Sequence, residues 1–209
     1  TLFSYENNAT ALEASEKGLA LRKQTTFRWA NNAQGNKQSE TILDGDEGDE
    51  KADYSKSFRQ NGTVRSTTVF FYDGDTRALA ASANGAALVR QETYRGDIDA
   101  TATLPAIMQS VTNLKGDEGE EKADTSRSFR VNGSIRSETL FHYEISGRDV
   151  VKASQNGESL VKQETFRWDK TTNLRGKIQS ETLLVGEEGD EKAASSKSFR
   201  NDSTSSTRS

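Results

Sequence analysis

No cysteine occurs in this chain, which excludes disulfides, thiolate metal sites and cysteine nucleophiles. There is one proline, Pro105, so strand breakers are almost missing between turns. There is one histidine, His142, and the chain has no nucleophile elbow and no phosphate loop. No apolar run approaches the ~18 residues a membrane-spanning helix needs. Apolar residues are scarce at 32%, and the mean hydropathy is -0.84. A chain this polar cannot fill one thick core; it needs disorder or a thin core shared along an extended structure. Disorder is disfavoured because Phe, Tyr, Trp, Leu and Val return at fixed phases. The net charge of -4, with both signs interspersed, argues against nucleic acid or an anionic membrane as the main partner. The sequence opens on Thr1 with no signal peptide visible, which implies a chain processed or cut from something longer.

What is present is a repeat. The chain divides into three copies of about seventy residues: 1–67, 68–138 and 139–209. Each opens with an aromatic strand, "TLFSYE" at Thr1, "TVFFYD" at Thr68 and "TLFHYE" at Thr139. A middle strand follows, "RKQTTFRW" from Arg22, "VRQETYRG" from Val89 and "VKQETFRW" from Val161. Then comes an acidic octapeptide, "GDEGDEKA" from Gly45, "GDEGEEKA" from Gly116 and "GEEGDEKA" from Gly186, and after it "SKSFR", "SRSFR" and "SKSFR". Joining Ser209 to Thr1 reads "RSTLFSY", close to the internal junctions "RSTTVFFY" and "RSETLFHY". The Thr1 end is therefore expected to meet the Ser209 end of another copy, or of further repeats in a longer array; an internally closed ring is a weaker alternative.

The pattern within a copy is antiparallel β. Asn132-Gly133 and Gln60-Asn61-Gly62 predict tight hairpin turns, since Asn and Gly tolerate positive φ. After Gly133, Ile135, Ser137, Thr139, Phe141 and Tyr143 share one face, expected to be the shallow inner row. Arg136, Glu138, Leu140 and His142 share the other, expected to be solvated and paired across strands. Further turns are predicted at 145–148, 155–158 and 173–176. Each copy then holds about five strand-and-turn steps. Around Pro105 the copies diverge, and Ala106, Ile107 and Met108 either extend a strand or close a small apolar gap.

The segments "YDGDTRALAAS" (Tyr72 to Ser82) and "YEISGRDVVKAS" (Tyr143 to Ser154) resemble the tyrosine-aspartate repeats of Rhs and teneurin-type proteins. "WDKTTNLRGKIQSET" from Trp168 is a looser version with a longer turn. The resemblance implies a ribbon of β-hairpins, with a short turn followed by a polar strand, in an extracellular setting. The seventy-residue grouping and the acidic octapeptide depart from that pattern, and no toxin or core-domain signature accompanies it.

Two chemistries compete with a structural role. The acidic octapeptides offer calcium candidates: Asp46, Glu47, Asp49 and Glu50; Asp117, Glu118, Glu120 and Glu121; Glu187, Glu188, Asp190 and Glu191. Calcium takes six to eight oxygens, and the second glycine would permit a tight wrap. The spacing fits neither an EF-hand nor a calcium β-roll, and Lys51, Lys122 and Lys192 sit inside the motif. The bland reading is a polar connector, with one helical turn at "DEKA". The "FRW" triplets at Phe27 and Phe166 offer rings for surface glycans, but Gly96 replaces the tryptophan in copy two, and packing is the bland reading. Arg28, Arg95 and Arg167 are expected over aromatic faces or against glutamates. Enzyme activity has no support: His142 is matched by Ser4 and Phe71 in the other copies.

The fold class is thus all-β: antiparallel β-hairpin repeats stacked as a ribbon or solenoid. The expected function is structural, a filament, fibre stalk or surface adhesin outside the cell, self-associating through its terminal strands. The alternative is a calcium- or glycan-binding surface module.

Overall fold

The computed structural model describes residues 1–30, 33–99, 107–145, 149–151, 159–200 and 205–207. Pro105 and the predicted turns at 146–148 and 155–158 lie outside them. The fold is all-β and antiparallel, and the chain falls into two compact units, Thr1–Met108 and Gln109–Ser209.

In the first unit, β1 (Leu2–Tyr5), β2 (Leu21–Ala30), β3 (Ala33–Asp44), β4 (Lys51–Phe58), β5 (Val64–Tyr72) and β6 (Leu88–Arg95) pair in chain order. The second unit carries β7 (Met108–Lys115, its first residue still in the first unit), β8 (Lys122–Phe129), β9 (Ile135–Ile145), β11 (Leu160–Asp169), β12 (Leu174–Val185), β13 (Lys192–Phe199) and β14 (Ser205–Thr207) in that order. A short β10 (Asp149–Val151) hangs on the end of β9. Nearly every partner is the next strand along the chain, so closure entropy is small at each step.

The hairpins at Asn61-Gly62 and Asn132-Gly133 form as the sequence predicts, but only the glycines take positive φ, 81° and 79°. Gly62 and Gly133 donate back to Arg59 and Arg130 carbonyls, each at 3.0 Å, and the ladder then slips by one residue. This is a type I turn with a glycine bulge. The asparagine instead accepts from the residue after the glycine: Asn61 Oδ1 takes Thr63 N at 3.1 Å, and Asn132 Oδ1 takes Ser134 N at 3.2 Å.

The two faces of the sheet differ from the sequence expectation. Row by row, serine and threonine meet across strands: Thr41–Ser55 at 2.9 Å, Ser57–Ser66 at 2.8 Å, Thr68–Thr93 at 3.0 Å. The second unit repeats this with Thr112–Ser126, Ser128–Ser137 and Thr139–Thr165, at 2.7–2.9 Å. These hydroxyl rows are half-buried, whereas the supposedly solvated row holds the best-buried groups. Glu138 and Leu140 are buried, as are Thr67 and Val69 at the same positions of β5. His142 is also shielded, with Nε2 2.8 Å from Glu164 Oε2. The reason lies in the partners that neighbouring strands supply. Hydroxyls satisfy one another at the surface of the sheet, while Glu138 enters the interior because Arg127 and Arg175 both reach it, at 2.8 and 2.6 Å.

The core is thin and roofed by cations. Val69, Tyr94 and Ile98 cluster with Tyr54, Phe71 and Met108 against them, so Met108 both starts a strand and closes an apolar gap. Burial pushes the Tyr94 phenol above its ordinary pKa, and Glu92 adds to the shift. Guanidinium and ammonium groups lie over rings: Arg90 over Phe71 at 4.4 Å, Arg175 over Phe166 at 5.1 Å, Arg127 over Trp168 at 5.4 Å. Arg28 and Arg167 do not do this. They cap backbone carbonyls, Arg28 those of Lys37 and Phe58, and Arg167 that of Phe199. Trp29 is exposed rather than packed.

Among the described residues two α-helices interrupt the β pattern where a polar strand was expected. After Tyr5 and Tyr72 the chain makes a 3-10 turn with positive φ at Asn7 and Gly74, then enters α1 (Ala11–Lys17) and α2 (Ala78–Ser82). Thr10 and Glu13 form a reciprocal capping box on α1, and Gly18 ends it at φ 62°.

Candidate functional site

The three acidic octapeptides build one corner three times, between β3 and β4, β7 and β8, and β12 and β13. The first glycine has φ of 119°, 124° and 131°, and the second 87°, 82° and 87°. A backbone bond closes each turn at 3.0 Å: Asp49 N to Asp46 O, Glu120 N to Asp117 O, Asp190 N to Glu187 O. The Lys-Ala pair opens the next strand, so the helical turn expected at "DEKA" does not form.

The carboxylates divide into two groups. Asp46, Glu47, Asp49, Asp117, Glu118, Glu120, Glu187, Glu188 and Asp190 are exposed. The last one of each motif turns inward as a clamp on backbone. Glu50 accepts from Leu21 N at 2.8 Å and Gly48 N at 3.2 Å. Glu191 accepts from Leu160 N at 2.9 Å and Gly189 N at 3.1 Å, and Glu121 from Gly119 N at 3.1 Å. The Leu160 N–H chiefly holds the Glu191 carboxyl below its ordinary range. The Glu50 and Glu191 clamps tie their corners to the start of the middle strand of the same copy, at Leu21 and Leu160. Among the described residues no three Asp, Glu or His side chains converge on a point where a metal ion would sit. With both oxygens of Glu50 and Glu191 committed to N–H donors, thermal melts in millimolar calcium and in EDTA are expected to coincide. A higher midpoint in calcium would show that the exposed carboxylates wrap an ion after all.

The corners also hold consecutive copies together. Tyr72, at the end of the opening strand of copy two, donates its hydroxyl to Ala52 O of the first corner at 2.8 Å. Tyr143 does the same to Ala123 O of the second, also at 2.8 Å. Lys51 lies over the Tyr72 ring at 5.4 Å and Lys122 over the Tyr143 ring at 5.7 Å. Burial pushes the Tyr143 phenol up to about 12. In the first joint α2 packs against the corner: Asp46 N lies 3.3 Å from Ser82 Oγ, and Arg77 pairs with Asp53 at 2.8 Å. In the second unit Lys122 also reaches Glu188 of the following corner at 2.5 Å. The tyrosine joints escaped the sequence reading. The signal was a constant separation of 20 residues between the motif alanine and the next opening-strand tyrosine. Tyr72→Phe and Tyr143→Phe are each expected to cost about 1 kcal/mol in urea unfolding, the net worth of one such hydrogen bond.

A second feature lies in the second unit. Arg130, Arg136, Arg167, Lys170 and Lys177 surround an open groove of about 700 Å³, with Trp168, Asp169, Gly176 and Gln179 in its wall. Trp168 is held in place by Nε1 donating to Asn173 Oδ1 at 3.0 Å and by Arg127 over its ring. The one carboxylate there is spent on its own turn: Asp169 accepts from Thr171 N at 2.7 Å and Thr172 N at 3.1 Å, which lowers its pKa. Five cations thus line a groove whose wall holds a single carboxylate, in a chain whose net charge is negative. The sequence reading set only Arg167 beside the tryptophan and gave Arg136 to a solvated strand face, because the other cations come from the β8–β9 turn, the start of β9, the β11–β12 turn and β12. No protein-family model, curated protein or solved structure matches this chain.

Proposed function

We propose that the chain is a structural β-repeat protein of the cell exterior, the material of a filament, fibre stalk or surface adhesin. The observation that carries the reading is the joint built twice from the same parts, Tyr72 on Ala52 and Tyr143 on Ala123. A fold that reproduces the contact between successive copies is suited to extending by copies, and each copy gains stability from its neighbour. Extracellular placement rests on the tyrosine-aspartate resemblance. Static light scattering and electron microscopy at rising concentration test it: elongating particles support the reading, and a strict monomer at all concentrations overturns self-assembly.

The basic groove favours a second reading, a surface that holds acidic glycans. Guanidinium groups suit sulfate or carboxylate, and an indole suits the apolar face of a sugar ring. A sulfated polysaccharide should bind at low salt and release as salt rises, whereas a neutral one should not bind. Arg136→Ala with Lys170→Ala should weaken the binding about tenfold or more. Equal affinity for both polysaccharides, or an unaffected double variant, would remove the reading.

A further inference from the structure

The first acidic corner and the basic groove are opposite in charge and complementary in form. The corner is a narrow, stiff projection. Asp46, Glu47 and Asp49 are exposed around Gly48, where an added Cβ would meet nothing within 4 Å. The backbone bond from Asp49 to Asp46 and the two bonds to Glu50 fix the tip in one conformation, so little entropy is lost when it binds. The groove offers the counterpart. Arg136, Lys170 and Lys177 are exposed along it, and Trp168 is half-buried in its wall. Its volume of about 700 Å³ is that of a site for one small ligand or loop tip. The same pairing already joins successive copies within the second unit, where Lys122 meets Glu188 of the following corner at 2.5 Å. That contact occupies the third corner, while the first presents its three carboxylates to solvent. The first unit has no tryptophan at the corresponding place: Gly96 stands there, and Asp97 after it pairs with Lys56 at 2.6 Å.

We infer that the basic groove receives the first acidic corner of a second copy of this chain, with Asp46 and Asp49 against Arg136 and Lys170 and the bare tip at Gly48 beside the Trp168 ring. The contact rests on the self-assembly of the structural reading and adds a lateral site to it. A guanidinium takes a carboxylate through two parallel N–H bonds, which gives direction as well as attraction. The indole keeps water from one side of the pairs, which strengthens them. Both copies carry a net charge of -4, so association has to come from this local complementarity against a general repulsion. The two surfaces differ, so the contact is heterologous: two copies reciprocate it and close, or a series extends it. The acidic glycan of the second reading competes for the groove, because it uses the same cations.

Sedimentation velocity of the full chain, with no polysaccharide present, tests the contact. The wild type should associate at about 0.05 M salt and dissociate by about 0.5 M, as screening shortens. Arg136→Glu with Lys170→Glu should weaken association about tenfold or more, and so should Asp46→Lys with Asp49→Lys. Mixing these two proteins in equal amounts should restore it, because each then meets a partner of opposite charge; recovery also shows that both are folded. Arg65→Glu with Lys197→Glu makes the same change in net charge at exposed cations outside the groove and should leave association as in the wild type. A control that dissociates as far as the groove variant would overturn the contact. So would a mixture that stays dissociated although both variants unfold in urea at the wild-type midpoint. Elongation that is indifferent to salt and survives in the groove variant would remove the corner contact and leave the structural reading standing. A monomer at low salt that still binds the sulfated polysaccharide would remove the contact and leave the groove to the glycan.

Discussion

Gly45→Ala is expected to destabilise the first unit by about 3–5 kcal/mol, the sum of a strained backbone and an overpacked contact. At φ 119° the residue sits where L side chains are rarely found. An added Cβ would stand 2.2 Å from Ser82 Oγ, 2.5 Å from Ser82 Cβ and 2.9 Å from Asp49 O. The backbone oxygen cannot withdraw without opening the corner, and Ser82 cannot withdraw without lifting α2. Gly48→Ala is the control. Its φ of 87° is also unfavourable, but nothing lies within 4 Å of the new methyl, so the cost should be only about 1–2 kcal/mol. Urea unfolding of the two variants measures the difference. Equal costs would mean that α2 does not seat on the corner as described, and the account of the first joint would fail with it.

Glu138→Ala should cost about 3 kcal/mol, in the range for breaking a buried ion pair. The carboxylate is 2% exposed and takes hydrogen bonds from Arg127 and Arg175. The arginines are about half exposed and can recover water, which keeps the loss from the top of that range. Glu138→Thr should be milder, because Thr67 fills the same position of β5 while fully buried. The pair also sets a pH dependence. Burial by itself raises the Glu138 pKa, but the two guanidinium hydrogen bonds and their charges outweigh it and the net shift is downward. A group whose native pKa lies below its unfolded value binds fewer protons when folded. Its contribution is therefore complete above the ordinary glutamate range near ~4.3 and is lost as pH falls through the depressed native value. The wild-type chain should lose stability on acidification below about pH 4 more steeply than Glu138→Thr. Parallel curves would show that the carboxylate is not held by the arginines in the folded state.

The acidic corner illustrates how far local sequence reaches. Its position, its glycines and its threefold recurrence were legible, since a tight reversal between two strands needs backbone that tolerates positive φ. The inward turn of Glu50 and Glu191 was not, because the N–H groups they satisfy belong to Leu21 and Leu160, 29 and 31 residues away. Helix α1 is encoded locally by the Thr10–Glu13 capping box, although the strands β1 and β2 on either side of it follow period two. The burial of Glu138 could not be read from β9 alone, because Arg127 comes from β8 and Arg175 from β12.

Alternating hydroxyl and aromatic residues, hairpin glycines and a seventy-residue period by themselves determined an antiparallel all-β ladder, because each of these acts within a few residues of chain. Which face of a strand is buried, which carboxylates stay free and what Tyr72 and Tyr143 bond to were decided only by tertiary structure. Those outcomes depend on the partners that register and copy-to-copy stacking bring within hydrogen-bonding reach, and on the cost of leaving a charge or a carbonyl in the thin core without one.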